Sequence, residues 1–121
     1  MILGLRTAIY PVRDLVAAKA WYTQALGQEP YFDQAFYVGF AVGGFELGLL
    51  PDGEPGISGP QPLWGVDDAD RELARLVGLG ASVLEPVTEV GEGIRVAAIR
   101  DPFGNRFGLI ENPNFHREAV R

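Results

Sequence analysis

Thr7 and Gln61 stand 54 residues apart, each five residues ahead of a valine and seven ahead of an aspartate, in Val12-Arg13-Asp14-Leu15 and Val66-Asp67-Asp68-Ala69. Two positions related in this way are expected to face each other across a shared cleft. Their chemistry is that of a hydroxyl and an amide, neutral groups that hydrogen-bond a ligand well and hold a divalent ion poorly. Glu46 lies inside the apolar run Phe45–Leu50. It can act as a general base or ligand anchor in a cleft, and as a plain strand residue it can reach solvent or pair with Arg106. Tyr37, flanked by Phe36, Val38 and Phe40, can line either face of its strand.

Other reactive groups are scarce. The chain has no cysteine, which removes disulfides, thiol nucleophiles and thiolate metal sites. Its single histidine, His116, follows Asn112-Pro113-Asn114-Phe115 in a polar tail and reads as a solvated residue. Val90-Gly91-Glu92-Gly93-Ile94 lacks the Lys and Ser/Thr of a phosphate loop and reads as a hairpin turn, and no Gly-x-Ser-x-Gly elbow occurs.

The elements that must position these residues repeat. Leu3 to Val12 is apolar and β-prone, with Thr7 as its one small polar residue. Asp14 caps a helix whose apolar positions Leu15, Ala18, Tyr22, Ala25 and Leu26 share a face, and Gly27 ends it. Three β segments follow, Pro30–Asp33, Phe36–Ala41 and Phe45–Leu50, with turns at Asp33-Gln34 and Gly43-Gly44. The stretch from Pro51 to Pro60 is rich in turn formers and reads as a linker.

The pattern then restarts. Leu63–Val66 is a strand, Asp67 or Asp68 a cap, and Leu73, Leu76 and Val77 the buried stripe of a helix ended by Gly78-Leu79-Gly80. Ala81–Glu85, Ile94–Arg100 and Arg106–Glu111 complete the strands, the last two joined by a turn at Asp101-Pro102-Phe103-Gly104. Trp64 has the opposite strand parity to Gln61 and Leu63, so it is expected to pack beneath the helices. The result is an α+β chain of two βαβββ modules, residues 1–50 and 61–112, joined by a linker at 51–60 and followed by a tail at 113–121.

A chain of 121 residues, 47% of them apolar, supports one domain-sized core. The net charge of −6, with basic residues scattered, argues against nucleic acid as a partner and is compatible with a cationic ligand. No apolar run approaches the roughly 20 residues of a membrane span, and Met1–Arg6 lacks a signal-like pattern, so a soluble cytoplasmic protein is expected.

Val12-Arg13-Asp14-Leu15, Trp21-Tyr22 with Leu26-Gly27, and above all Asp101-Pro102-Phe103-Gly104-Asn105-Arg106-Phe107 resemble the vicinal oxygen chelate superfamily, which includes glyoxalase I, extradiol dioxygenases, fosfomycin-inactivating enzymes and bleomycin resistance proteins. The resemblance covers nearly the whole chain. It implies a curled eight-stranded mixed sheet around a cleft, helices on the outer face, a small-molecule pocket and a homodimer.

Metal-dependent members of that family take ligands from each module's first strand and a carboxylate from each module's last. The resemblance places those positions at Thr7, Glu46, Gln61 and Gly108, of which only Glu46 is a strong ligand. Gly108 has no side chain to offer, and Glu111, an odd number of residues further along an unbroken strand, is expected to face the other way. No metal or other cofactor is therefore expected.

The favoured reading is a cleft that binds a small organic molecule, a cation among the candidates, through Thr7, Tyr37, Glu46, Gln61, Arg106 and Gly108, without catalysis. The alternatives are a metal-dependent isomerase, lyase or dioxygenase, and a metal-independent enzyme with Glu46 as catalytic base. The latter needs burial to raise that carboxyl's pKa.

Overall fold

The computed structural model describes residues 1, 3 and 5–120. Its elements run β1 (Thr7–Pro11), α1 (Leu15–Leu26), β2 (Phe32–Gln34), β3 (Tyr37–Val42), β4 (Phe45–Leu50), β5 (Leu63–Gly65), α2 (Ala69–Gly78), β6 (Ser82–Gly91), β7 (Ile94–Arg100) and β8 (Arg106–Glu111), then a short 3-10 turn at Arg117–Ala119. This is βαβββ twice. Among the described residues the eight strands form two four-stranded mixed sheets, β1-β4-β3-β2 and β5-β8-β7-β6, one from each βαβββ module as expected. The chain likewise separates into two compact units, Met1–Pro55 and Gly56–Arg121.

In the first unit Asp14 caps α1, its carboxylate accepting from the Ala17 amide at 3.0 Å, and Gly27 closes the helix at φ 68°. A left-handed φ of this kind suits glycine, which has no Cβ to clash. The buried helix face carries Ala18, Trp21, Tyr22 and Ala25. Tyr22 packs edge-on to Tyr10 of β1 and to Trp21, with centroids 6.0 and 4.8 Å apart. Ala8, Tyr10, Val38, Phe40, Leu47 and Leu49 complete this core. β1 runs parallel to β4, and β3 antiparallel to both β4 and β2. The turn between β2 and β3 falls at Ala35-Phe36, because Gln34 pairs with Tyr37 instead of turning.

In the second unit the cap is Asp68, which accepts from the Arg71 amide. Leu76 is buried, but Val77 is 41% exposed, so the apolar stripe of α2 is narrower than expected. Trp64 stacks on Phe107 at 6.0 Å, on the same face as Leu109, which is the packed position its parity implied. β6 runs well past Glu85 to Gly91, with register shifts on both sides of Pro86. As the edge strand of its sheet it tolerates a proline that a central strand would not.

β5 begins two residues later than its counterpart β1. The 54-residue offset holds for the caps and helix starts, yet Gln61 precedes the strand and is exposed, whereas Thr7 opens β1. Pro60 and Pro62 flank Gln61, and Pro62 has no amide hydrogen for a ladder.

Candidate functional site

Side chains alternate across a strand, so burial of Ala8, Tyr10, Val38, Phe40, Leu47 and Leu49 fixes what lies on the other face of the first sheet. That face carries Thr7, Tyr37, Gly39, Ala41, Glu46 and Gly48. Thr7 and Ala41 are the ladder partners of Glu46 on either side, and Gly39 is the partner of Gly48. Two glycines side by side leave bare backbone, over which large side chains can lie. A Cβ on Gly48 would stand 1.8 Å from the Tyr37 hydroxyl, and one on Gly39 would stand 2.7 Å from Glu46 Oε2 and 3.2 Å from the Tyr31 ring.

Three hydroxyls converge on the carboxylate in that space. Thr7 donates to Glu46 Oε1 at 2.8 Å, Tyr37 donates to the same oxygen at 2.7 Å, and Tyr31 donates to Oε2 in a short hydrogen bond. Burial pushes the Glu46 carboxyl up, but the hydroxyls of Tyr31, Tyr37 and Thr7 together outweigh it and hold the group below its ordinary value. The tyrosines respond in the opposite sense. Burial, then the bond to Glu46, pushes Tyr37 up to about 12, and the bond to Glu46 raises Tyr31. At neutral pH the cluster is therefore one anion held by three neutral donors. It opens on a cavity of about 380 Å³ whose lining includes Arg6, Thr7, Tyr31, Phe45 and Glu46.

The structure brings three of the sequence candidates, Thr7, Tyr37 and Glu46, together and adds Tyr31, which sequence reasoning did not single out. Tyr31 lies outside any strand, held by its amide on the Gly39 carbonyl at 3.0 Å, so strand parity says nothing about where its ring goes. The pairing of Gly39 with Gly48 that makes room for its ring is a matter of register, which the sequence does not display.

The other three residues belong to the second unit. Arg106 pairs within its own unit with Glu85, at 2.9 Å. Gly108 sits in a tight cradle, where a Cβ would meet the Leu63 side chain at 2.5 Å and the Pro62 carbonyl at 2.7 Å. Gln61 is exposed, ahead of β5. Register adds a further point. The Val12 amide bonds the Leu50 carbonyl and the Val66 amide bonds the Ile110 carbonyl. Counting back, Gly108 stands where Gly48 stands in the first unit, and Arg106 stands where Glu46 does. β8 pairs with β7 without interruption, so Glu111 faces away from Gly108 as expected. Its carboxylate accepts from the Ala69 amide at the start of α2, at 2.9 Å.

Asp101 and Asn105 are buried and act within the turn. Asp101 Oδ1 accepts from the amides of Phe103 and Asn105, both at 2.9 Å, while Asn105 Oδ1 accepts from the Gly56 amide at 3.1 Å. The most telling sequence motif is thus a device for shaping a loop.

Residues 4–109 match the family described as the glyoxalase/bleomycin resistance protein/dioxygenase superfamily. The chain belongs to that superfamily. Among curated relatives, "Putative glyoxylase CFP32" of Mycobacterium bovis is 31% identical over 110 residues, covering 79% of this chain and 41% of the relative. The chain therefore spans less than half the length of that relative. Among solved structures, a glyoxalase-related enzyme from Fulvimarina pelagi superposes with a TM-score of 0.75 at 18% identity, covering 93% of this chain and 90% of that one. A lactoylglutathione lyase from Agrobacterium tumefaciens gives 0.73 at 22% identity, covering 93% and 97%. At these identities the likeness is one of fold, and function must be argued from the site.

The superfamily includes metal-dependent enzymes, and the donors here do not fit such a metal. Glu46 shares its site with three hydroxyls that already donate to it, and a tyrosine pushed up to about 12 does not ionise at neutral pH to become a ligand. Among the described residues no group of three or more His, Cys, Asp or Glu side chains is placed to hold an ion.

Proposed function

We propose that this superfamily member binds a small organic cation at Glu46, without a metal and without turning the ligand over. The observation that carries this reading is the carboxylate itself, kept ionised by Thr7, Tyr31 and Tyr37 on the wall of a cavity. Neutral donors hold the charge in place without cancelling it. An incoming cation gains a charge-assisted hydrogen bond, and the Phe45 ring offers apolar and cation–π contact.

Use of Glu46 as a general base is less well supported. A base working near neutrality needs a raised pKa, and the hydroxyls move this one down. Isomerase, lyase or dioxygenase chemistry through a metal lacks the donors, as argued above. The same reading carries three further proposals: a homodimer, a cytoplasmic location, and no nucleic acid or membrane as partner. Sedimentation as a monomer at micromolar concentration would refute the first.

A thermal-shift screen of organic cations against their neutral and anionic isosteres tests the function. A cation at about 100 times its dissociation constant should stabilise the fold by about 2.7 kcal/mol. Selection of anions, or stoichiometric metal retained after dialysis, would overturn the proposal.

A further inference from the structure

We propose that the two oxygens of Glu46 do different work: Oε1 is fixed by the sheet, whereas Oε2 receives a protonated amine or guanidinium that takes the place of the Tyr31 hydroxyl. This rests on the reading of Glu46 as a cation anchor and goes further, naming the atom, the ligand class and the residue that sets selectivity.

The asymmetry lies in where the donors come from. Both partners of Oε1 are strand residues. Thr7 is the ladder partner of Glu46, and the Tyr37 ring lies over Gly48, so both hydroxyls are seated on the face of the sheet itself. The donor to Oε2 is Tyr31, which lies outside the strands and is 63% exposed. Its backbone stays tied to Gly39 while its side chain is free to rotate toward solvent, and exposed rotamer changes are fast. Tyr31 also lines the cavity, so its departure uncovers Oε2 from the side a ligand would approach.

What replaces a hydroxyl donor must itself be a donor. An ammonium or guanidinium N–H meets that condition and adds charge. A quaternary ammonium has no N–H, leaves Oε2 with neither hydroxyl nor replacement, and is disfavoured. Arg6 lines the same cavity and opposes every positive charge brought there, so each charge beyond the one Glu46 pairs with weakens binding and a monocation is preferred to a dication. Tyr31 is then a competitor of the ligand, holding the carboxylate ionised and hydrogen-bonded until a better donor arrives.

Calorimetric titration of benzylammonium and benzyltrimethylammonium into the wild type, Tyr31→Phe and Glu46→Gln tests this, with melting curves confirming that each variant is folded. In the wild type benzylammonium should bind at least about tenfold more tightly than its trimethyl analogue. Tyr31→Phe should tighten benzylammonium about three- to tenfold, since one hydrogen bond no longer has to be broken. Glu46→Gln should lose that binding.

Equal affinity for the two probes, or weakening of both by Tyr31→Phe, would overturn the exchange at Oε2 and make Tyr31 a wall of the site. If Glu46→Gln still weakens both, the cation-anchor reading survives. Absence of benzylammonium binding, or indifference to Glu46→Gln, would remove both.

Discussion

Gly48→Ala is a small change that should disturb the site more than the fold. The added Cβ would stand 1.8 Å from the Tyr37 hydroxyl oxygen and 2.5 Å from Cζ, so the ring cannot keep its place. The atoms it meets are the far end of a rotatable side chain, and the ring swings aside more cheaply than the strand deforms. Gly48 is not among the residues with positive φ, so alanine sits comfortably in the backbone. Replacing a strand glycine returns about 0.5–1 kcal/mol of chain entropy.

Against that stands the 2.7 Å bond from Tyr37 to the carboxylate. Bonds to a charged group contribute roughly 1.5–3 kcal/mol, and a half-open site belongs at the lower end. The balance is a net loss of about 1 kcal/mol, or roughly 3–6 °C in melting temperature for a domain of this size. Melting curves at neutral pH measure the loss, and ultraviolet titration of the tyrosines should show one group falling from about 12 toward the ordinary value of 10.0. In a Tyr37→Phe background the bond is already absent and only the displacement of the ring remains, so Gly48→Ala should cost less than it does in the wild type and the two changes should be non-additive. Additive effects with an unaltered tyrosine titration would refute this account of the glycine floor.

Other perturbations have equally definite signs. The folded-state pKa of Glu46 is depressed, so its contribution to stability is present above its ordinary value of 4.5 and is lost as pH falls through the lower folded value. The stability gap between wild type and Glu46→Gln should therefore shrink below about pH 4.5 in denaturant titrations. Tyr37 is raised, so its contribution is whole below pH 10.0 and is lost as pH rises toward about 12; Tyr37→Phe should be the less alkali-sensitive protein. Asp101→Ala leaves the Phe103 and Asn105 amides without their acceptor in a buried turn and should cost on the order of 2–3 kcal/mol by chemical denaturation. Gly108→Asp should destabilise without creating a metal site, because the Pro62 carbonyl at 2.7 Å is backbone and cannot swing away; calorimetry with and without added nickel or zinc would show it.

Much of the fold was legible because it depends on local chemistry. Asp14 and Asp68 announce helix starts, Gly27 announces a stop, and the bounds of β7 and β8 follow from where apolar alternation begins and ends. Thr7 became a candidate through the repeat, Glu46 through the resemblance to the superfamily, and Tyr37 as a polar position in an apolar strand. What escaped depends on register and on space. Nothing in the order of residues says that Gly39 and Gly48 share a rung, or that two missing side chains make room for Tyr31 and Tyr37 over Glu46. The repeat itself misled at one point. Equal spacing suggested equal roles for Thr7 and Gln61, yet the prolines beside Gln61 delay β5, and register sets Arg106 where Glu46 stands in the first unit.

The central claim is that the charge of Glu46 anchors an organic cation. Titrating benzylammonium and neutral benzyl alcohol into the wild type and Glu46→Gln by calorimetry isolates that charge. The expected result is a preference for the cation of at least about tenfold in the wild type, about 1.4 kcal/mol, that disappears in the variant. A preference that persists in Glu46→Gln, or that is absent from the wild type, would contradict it.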